Sequence, residues 1–479
     1  MTPPHQPREA TARDIALEVL IAVSTENAYA NLLLSQLLRR HRTDRRDSAL
    51  ATELVFGTLR LQGRYDAVIA ACSTRPLERI DPVVRDALRL GSHQILDMAT
   101  PAYAAVSATV DQVRRRRGPG AAKFANAILR AVARRSWPEW LAEIAPFPEQ
   151  AVGEIVGSSL SGQAAVSSVQ LEGRQLEELL PRWEVEFSHP VWIIRSLLDA
   201  LDKQRARDEI EALLQRNNEP APVTLVARPT RISARELTIA TGGETGRWSP
   251  WAVRVAGDPG RFAAVRDHRA AVQDEGSQLM ALAVSRLDTP PGDWLDLCAG
   301  PGGKTADLAG PAASMGATLT AVEQHPHRAD LIRQTVAGGP PVDVRTGDAL
   351  EVGPQRYSRI LLDAPCTGLG ALRRRPELRW RRTPADLPQL RASQLALLAR
   401  AVDLLVPGGC LAYVTCSPHV AETHDIVSAV RRRHPDLQQV SAAHLLPEVA
   451  DCAVGDFVQL WPHRHDTDAM FLAVLRRPM

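Results

Sequence analysis

Two cysteines occupy positions at which a thiol could take part in catalysis. Cys366 lies in the segment RILLDAPCTGLG, and Cys416 lies in GCLAYVTCSPHVAE. Each follows an apolar run typical of a buried β-strand, so we expect both side chains at strand ends that face a ligand. Most free cysteines are inert and buried, an interpretation that suits Cys72, Cys410 and Cys452 better. The pair instead predicts a transferase in which a thiolate activates an otherwise unreactive ring carbon.

Carbon C5 of a pyrimidine is a carbon of this kind, because it is a poor nucleophile by itself. A thiolate that adds to C6 turns C5 into an enamine carbon able to accept a methyl group. The C5 proton and the thiolate must leave afterwards, and a second thiol can assist that release. The attacking thiol must ionise from an ordinary pKa of about 8.5, so the site should supply positive charge or hydrogen bonds.

A glycine-rich turn upstream of the cysteines is predicted to hold a cofactor. The segment LDLCAGPGGKT (Leu295–Thr305) resembles a phosphate loop, but Cys298 stands where that pattern requires glycine, and the GxGxxG spacing is absent. Three carboxylates, Glu323, Asp348 and Asp363, end or follow successive predicted strands. They would repel a triphosphate, but they suit a ribose diol, an adenine amino group and a sulfonium or amino group. This pattern predicts an S-adenosylmethionine pocket; the alternative is a tight turn with helix-capping acids.

The balance of lysine and arginine marks two further candidate regions. The net charge is only +2, and three of the 57 basic Lys and Arg residues are lysines. One of them, Lys304, ends the glycine turn, where a compact ammonium is expected to support the active site. The segment Ala371–Arg382 carries six arginines around one tryptophan, which favours RNA phosphate contact and base stacking over a merely solvated loop. The candidate RNA-binding residues are Arg373, Arg374, Arg375, Arg379, Trp380 and Arg381.

The hydrophobic pattern divides the chain into regions that position these residues. Residues 1–140 show helical periodicity throughout and predict an all-α bundle, and residues 141–184 predict a linker. Residues 185–270 predict a small α+β module. Residues 271–479 alternate strands and helices, which predicts a doubly wound sheet with ligands at the carboxyl ends of its strands. The glycine turn and both cysteines fall in this last region.

Composition excludes several classes of protein. No apolar run approaches the ~20 residues of a membrane span, and the first residues lack the apolar core of a signal peptide, so we expect a soluble, cytoplasmic protein without membrane contact. Six scattered cysteines show neither a disulfide framework nor CxxC spacing, which predicts reduced thiols and no metal. No feature demands a dimer, and a monomer is expected.

On these motifs the chain resembles the RsmB/Sun (Fmu) family of ribosomal RNA 5-methylcytosine methyltransferases. LDLCAGPGGKT matches the cofactor motif, DAPCTGLG the catalytic-loop motif and TCS the nucleophile motif. The N-terminal segments ELVFGTLR and KFANAILR resemble the NusB antitermination fold. The resemblance implies a multidomain protein: an N-terminal all-α NusB-like RNA-binding bundle, a small α+β RRM-like module and a C-terminal α/β Rossmann-like class I methyltransferase domain. Thr367 and Glu323 depart from the commoner serine and aspartate, and both keep the chemistry.

The resemblance also implies roles for individual residues. It makes Cys416 the nucleophile that attacks C6 and Cys366 the residue that helps to release the product, while Asp363 could hold the N3 edge of cytosine. The expected substrate is a cytosine of 16S ribosomal RNA. Residues expected to bind S-adenosylmethionine are Cys298, Ala299, Gly300, Pro301, Gly302, Gly303, Lys304, Glu323, Asp348 and Asp363.

Three alternatives differ in function class. A uracil methyltransferase also uses a cysteine nucleophile, but the paired DAPC and TCS motifs favour cytosine. A non-catalytic RNA-binding or antitermination factor needs neither thiol. A phosphate-loop nucleotidase is disfavoured by Cys298 and by the carboxylates.

Overall fold

The computed structural model describes residues 10–148 and 173–479, which form two compact units. The first unit comprises Met1–Arg195 together with Arg375–Arg381. The second comprises Ser196–Arg374 and Arg382–Met479. No helix among the described residues is long and apolar enough to cross a bilayer.

The first unit is a helical bundle, as its periodicity predicts. Its first helix begins at a capping box in which Thr11 and Asp14 exchange hydrogen bonds. The longest helix is kinked at Gly118, where φ is +82°, and Pro119 follows inside it. Periodicity alone does not show that one helix ends at Arg60 and another begins at Gln62. The helices are Ala12–Glu26, Ala30–Arg40, Arg45–Arg60, Gln62–Cys72, Pro82–Leu96, Ala102–Val132, Trp137–Ile144 and Gly173–Glu186.

The predicted linker over 141–184 contains regular structure in its second part. The helix Gly173–Glu186 occupies it, and buries an apolar face that includes Leu179 and Trp183. Pro181 inside a largely polar stretch hid this helix from the periodicity. Residues 149–172 of the predicted linker lie outside the described residues.

The small α+β module has a four-stranded antiparallel sheet in its described part. Its strands are β1 (Val223–Ala227), β2 (Glu244–Thr245), β3 (Ala252–Val255) and β4 (Ala270–Val272), in the order β2-β3-β1-β4. Helices Ala234–Thr241 and Ala263–Arg266 complete a β-α-β-β-α-β sequence of the ferredoxin-like kind. An RRM-like role also requires RNA contact, which stays a prediction. Helices Val191–Asp202 and Ile210–Asn217 precede the module.

The remaining strands form one mixed sheet, which confirms the predicted α/β domain. The sheet order is β7-β6-β5-β8-β9-β13-β12-β11, with β10 paired to β13. Strands β5 to β9 run parallel, and β13 is antiparallel to β9. The strands are β5 (Trp294–Asp296), β6 (Leu319–Glu323), β7 (Val342–Thr346), β8 (Tyr357–Asp363), β9 (Leu405–Thr415), β10 (Gln438–Val440), β11 (Ala453–Val454), β12 (Phe457–Gln459) and β13 (Phe471–Arg476). The helices are Glu275–Ser285, Gly303–Ser314, Pro326–Val336, Leu378–Arg381, Leu387–Asp403, His424–Arg433 and Pro462–His465, of which Leu378–Arg381 belongs to the first unit.

The strand order fixes where a ligand can bind in this sheet. The connection after β5 leads to β6 on one side, whereas β8 lies on the other side, so the order reverses at β5. Open α/β sheets bind ligands outside the carboxyl ends of the strands at such a reversal. Because β5, β8 and β9 are neighbours, the glycine turn, the DAPC segment and the TCS segment leave the sheet side by side.

Candidate active site

The structure brings the two predicted active-site thiols into contact. Cys416 directly follows β9 and Cys366 lies three residues beyond the end of β8, and their sulfur atoms are 3.5 Å apart. Both side chains are partly exposed. At this distance one thiol can donate a hydrogen bond to the other sulfur, so one member of the pair can carry a proton while the other is a thiolate.

The surroundings of Cys366 keep its thiol protonated. The hydrogen bond with Cys416 and burial both raise the pKa of Cys366 well above its ordinary value. The carboxylates of Glu422 and Asp363 lie close enough to raise this pKa further. Cys366 is therefore the member of the pair that holds its proton, as an S–H group beside the Cys416 sulfur.

A partly exposed ion pair lies near the thiols. Lys304, in the first turn of the helix Gly303–Ser314, places its Nζ atom 2.7 Å from Oδ2 of Asp363 at the end of β8. Burial alone would lower the pKa of Lys304, but the Asp363 carboxylate and the nearby Cys416 outweigh it, and the net shift is upward. The Lys304 ammonium therefore stays charged within electrostatic reach of Cys416, which favours a thiolate there.

The glycine turn needs glycine for two separate reasons. A Cβ atom on Gly300 would lie 2.0 Å from Oε2 of Glu323, so a larger residue there would force the Glu323 side chain to shift. Gly302 has a φ of +104°, a left-handed conformation that side chains disfavour. Cys298 packs in the turn, and burial raises its pKa far above the ordinary value, so it is a neutral packing group.

The carboxylates at the ends of β6 and β7 differ in exposure. Glu323 is buried and lies 3.4 Å from the guanidinium of Arg328, which also donates to the carbonyl oxygen of Gly300 at 2.5 Å. Asp348 is exposed and caps the short turn that follows it. A close-packed glycine turn beside carboxylates fits a cofactor with a diol, an amino group and a positive charge better than it fits a triphosphate. The residues present therefore fit S-adenosylmethionine.

Sequence reasoning missed a buried carboxylate that joins the two cysteine segments. Glu422 has 0% exposure and accepts hydrogen bonds from the backbone N–H and the hydroxyl of Thr367, at 2.8 and 2.5 Å. It also accepts from the Ser417 hydroxyl at 2.7 Å and from Nε2 of Gln394 at 3.1 Å. The sequence shows Glu422 at the end of the TCS segment, six residues after Cys416. That position alone does not reveal its hydrogen-bond partners.

The arginines of the segment 371–382 are placed differently from the prediction. Arg379 has 0% exposure and donates to the carbonyl oxygens of Arg60 and Ser188, at 2.7 and 3.3 Å. Burial and Arg60 lower the pKa of Arg379 to about 9. Arg373 is buried and lies 2.9 Å from the partly exposed carboxylate of Asp466. Arg374 is partly exposed and lies 2.5 Å from the buried carboxylate of Asp274. These guanidinium groups bind acceptors of the protein itself, and the burial of Arg373 and Arg379 disfavours RNA contact by these two. RNA contact by the other arginines stays a prediction.

The rest of that segment is only partly open to a ligand. The indole N–H of Trp380 donates to the carbonyl oxygen of Leu59 at 3.3 Å, and Arg381 donates to that of Ala28 at 2.7 Å. Arg375 is exposed. A protein rich in arginine can use many guanidinium groups as donors to its own carbonyl oxygens, and the sequence pattern does not separate these from exposed ones.

The N-terminal and C-terminal regions of the chain each match a known family. Residues 280–476 match the family described as 16S rRNA methyltransferase RsmB/F, and residues 10–134 match the NusB family. A Mycobacterium tuberculosis protein named as a methyltransferase, Rv1407, is 46% identical over 97% of this chain and 96% of its own. The ribosomal RNA small subunit methyltransferase B of Thermus thermophilus is 31% identical over 98% of both chains.

A solved structure confirms the fold over nearly the whole chain. The protein named PH0851 superposes with a TM-score of 0.76 and covers 97% of this chain and 99% of its own. Its sequence is 20% identical, so this likeness concerns the fold alone.

Proposed function

The chain belongs to the RsmB/F family of 16S ribosomal RNA methyltransferases, and we propose that it methylates C5 of a cytosine through a covalent bond between Cys416 and C6. The observation that carries this proposal is the contact of two thiols, 3.5 Å apart, beside the Lys304–Asp363 ion pair. A binding factor has no use for such a pair, whereas covalent catalysis at a pyrimidine needs a nucleophile and a group that helps it to leave.

Cys416 is the nucleophile in this proposal. The Lys304 ammonium lies within electrostatic reach of its sulfur, and the Cys366 thiol can donate a hydrogen bond to it. Both contacts favour the thiolate, which is the form that adds to C6. Addition places a new bond between the Cys416 sulfur and C6 and leaves C5 ready to accept a methyl group.

Cys366 assists the release of the product. The C5 proton passes to solvent water and the C–H electron pair forms the C5=C6 double bond, while the C6–S bond breaks and its electron pair returns to the Cys416 sulfur. Because the pKa of Cys366 is raised, its S–H group is present to hydrogen-bond the departing thiolate. Without this hydrogen bond the covalent intermediate should persist.

Asp363 recognises the base in this proposal. Its carboxylate is held by Lys304 at 2.7 Å at the end of β8, three residues before Cys366. We assign it the N3 edge of cytosine. Lys304 then serves two purposes, because the same ammonium orients Asp363 and favours the Cys416 thiolate.

S-adenosylmethionine is the proposed cofactor, and when bound it supplies an activated methyl group. The glycine turn Cys298–Lys304 and the carboxylates of Glu323, Asp348 and Asp363 would hold it. Gly300 lies close to the Glu323 carboxylate and carries no side chain, so the turn presents only backbone on that side. Small-subunit ribosomal RNA is the proposed substrate, with the target base unstacked so that C6 is accessible.

The test is transfer of tritium from labelled S-adenosylmethionine to small-subunit ribosomal RNA, free or in particles, followed by nucleoside analysis. The proposal predicts label in 5-methylcytidine. Label in 5-methyluridine would keep the methyltransferase assignment and overturn the base. Absence of label on both free RNA and particles would contradict the proposal and favour a binding factor.

A further inference from the structure

We propose that Glu422 is a positioning residue that ties the Cys366 segment to the Cys416 segment and thereby holds the two thiols at contact distance. The expected effect on methyl transfer rests on the function proposed above. The effect on the geometry of the thiols does not, and can be measured without RNA.

Glu422 reaches both cysteine segments through the residue that follows each cysteine. Thr367 follows Cys366 and donates its backbone N–H to Oε1 and its hydroxyl to Oε2. Ser417 follows Cys416 and donates its hydroxyl to Oε2 at 2.7 Å. The two hydroxyl oxygens are themselves 3.0 Å apart, so the carboxylate closes a compact network directly behind the sulfur pair.

The glutamate is in turn fixed from the far side of the network. Gln394 donates from Nε2 to Oε1 of Glu422 at 3.1 Å and to the carbonyl oxygen of Pro365 at 2.8 Å. The hydroxyl of Tyr413, a residue of β9, donates to the backbone oxygen of Glu422 at 2.7 Å. All these contacts to the side chain come from donors, and a carboxylate with no exposed surface depends on them because bulk solvent does not reach it.

The arrangement has a mechanistic reason. The segments leave two different strands, β8 and β9, and beyond the strand ends the sheet no longer fixes their separation. One backbone bond, from the N–H of Gly370 to the carbonyl oxygen of Cys416 at 2.9 Å, also joins them. Glu422 adds side-chain bonds immediately next to both cysteines. A displacement of about 1 Å between reacting groups can cost about 10²-fold in rate, so a network at this position should matter.

The first test replaces one acceptor oxygen by a donor. In Glu422→Gln an amide NH₂ replaces the oxygen that accepts from the Thr367 and Ser417 hydroxyls. Both hydroxyls must then turn their own protons elsewhere and accept instead, and the charge that strengthened these bonds is lost, so the tie between the segments should weaken. The readout is diamide oxidation, in which diamide takes the two thiol hydrogens and leaves a Cys366–Cys416 disulfide, quantified by peptide mapping. We expect disulfide formation at least about tenfold slower than in the wild type, because it requires contact between the sulfurs.

Glu275→Gln is the matched control. Glu275 is also buried and its carboxylate also accepts backbone N–H groups, including that of Ser249 at 2.8 Å, but it contacts neither cysteine segment. The control should oxidise at the wild-type rate. Equal slowing in both variants would assign the effect to general loosening of the domain and overturn the proposal.

If Glu422→Gln does not fold, a variant that removes only one hydrogen bond to Glu422 still tests the proposal. Thr367→Val removes one hydroxyl and preserves the shape and the backbone N–H bond to Glu422. We expect it to fold and to slow disulfide formation by a smaller factor than Glu422→Gln. A wild-type oxidation rate in Thr367→Val, with Glu422→Gln either unfolded or equally fast, would overturn the coupling.

Methyl transfer then separates this proposal from the function on which it rests. Glu422→Gln should lower kcat by about 10²-fold and leave the KM for S-adenosylmethionine within about twofold, because the residue lies away from the glycine turn. If the wild type makes no 5-methylcytidine but oxidation still depends on Glu422, the function falls and the coupling stands. If the wild type methylates cytosine and Glu422→Gln matches it in both measurements, the coupling falls and the function stands.

Discussion

The cysteine segments and the arginine-rich segment both contain side chains predicted to be functional, but the structure exposes them to different extents. At the ends of β8 and β9 the two thiols remain partly exposed and contact each other at 3.5 Å. In the arginine-rich segment, Arg373 and Arg379 are buried and bound to acceptors of the protein itself. A reactive side chain is thus available in one region, whereas in the other the side chains stabilise the fold.

The difference teaches how far residue type predicts use. A cysteine side chain is short, so the backbone fixes the position of its sulfur and the strand order nearly determines its neighbours. An arginine side chain has several rotatable bonds and five donors, so it can reach a carbonyl oxygen in almost any direction. The position of a cysteine in the sheet therefore predicts the neighbours of its thiol better than an arginine-rich composition predicts the partners of a guanidinium group.

The largest expected effect is the loss of the nucleophile. Cys416→Ala should lower methyl transfer by about 10⁴-fold or more, because the covalent route disappears. Binding of S-adenosylmethionine should stay near the wild-type value, measured by calorimetry. Cys452→Ala is the matched control, since its thiol is buried away from the site and should leave the rate unchanged. Wild-type turnover in Cys416→Ala would contradict the account.

Removal of the cation beside the thiols should have the next largest effect. Lys304→Met should lower the rate by about 10²-fold, because the positive charge that favours the thiolate is lost. The rising limb of the pH–rate profile should also move to higher pH, since a thiolate without a nearby cation forms less readily. Lys304→Arg keeps the charge and should keep the position of that limb. An unchanged pH profile in Lys304→Met would separate Lys304 from the chemistry.

The arginine-rich segment should respond in stability rather than in catalysis. Arg379→Met leaves buried carbonyl oxygens without a donor, which costs about 1–3 kcal/mol and should lower the midpoint of thermal unfolding. The KM for RNA should not change. A higher KM for RNA with an unchanged midpoint would return Arg379 to the RNA-binding surface.

Arg375→Gln is the exposed counterpart in the same segment. Its midpoint should equal that of the wild type, because the guanidinium is exposed. If Arg375 contacts phosphate, the substitution weakens RNA binding and reduces the salt dependence of binding by about one unit of slope. The measurement is a filter-binding titration at several salt concentrations, with Arg379→Met in parallel.

The smallest effect concerns the order in which the thiols ionise. The pKa of Cys366 is raised well above its ordinary value, so its thiolate forms only at a pH above the pKa of a free cysteine. Alkylation by iodoacetamide at low conversion, mapped by peptide, should therefore modify Cys416 before Cys366 near pH 8. The rate at Cys366 should still be rising above pH 9. Preferential modification of Cys366 near pH 8 would reverse the roles of the thiols.

The sequence predicted the parts of the site that depend on strand ends. Glu323, Asp348, Asp363 and both cysteines follow strands that the apolar runs reveal, and parallel pairing brings strand ends together. The contact between Lys304 and Asp363 was not predictable, because it depends on the angle at which a helix leaves the glycine turn. The partners of Glu422 were hidden for a similar reason, since they come from three separate stretches of chain.

The elements of the fold that the sequence did not reveal were hidden by local features. Helical periodicity revealed the bundle and its kink at Gly118, but it did not reveal the separate helix that begins at Gln62. The short strands β10, β11 and β12 contain two or three residues each, too few for a period to show. The arginine-rich segment shows the remaining limit, because burial of charged side chains leaves no trace in periodicity.

The most direct test of the central claim is the fate of the RNA in Cys366→Ala. Incubation with S-adenosylmethionine and small-subunit ribosomal RNA should produce a denaturation-resistant protein–RNA adduct, because the nucleophile is intact and release is impaired. Nuclease and protease digestion followed by mass spectrometry should locate the bond between Cys416 and a methylated cytosine. An adduct that forms in Cys416→Ala instead, attached through Cys366, would contradict the assignment of the two thiols.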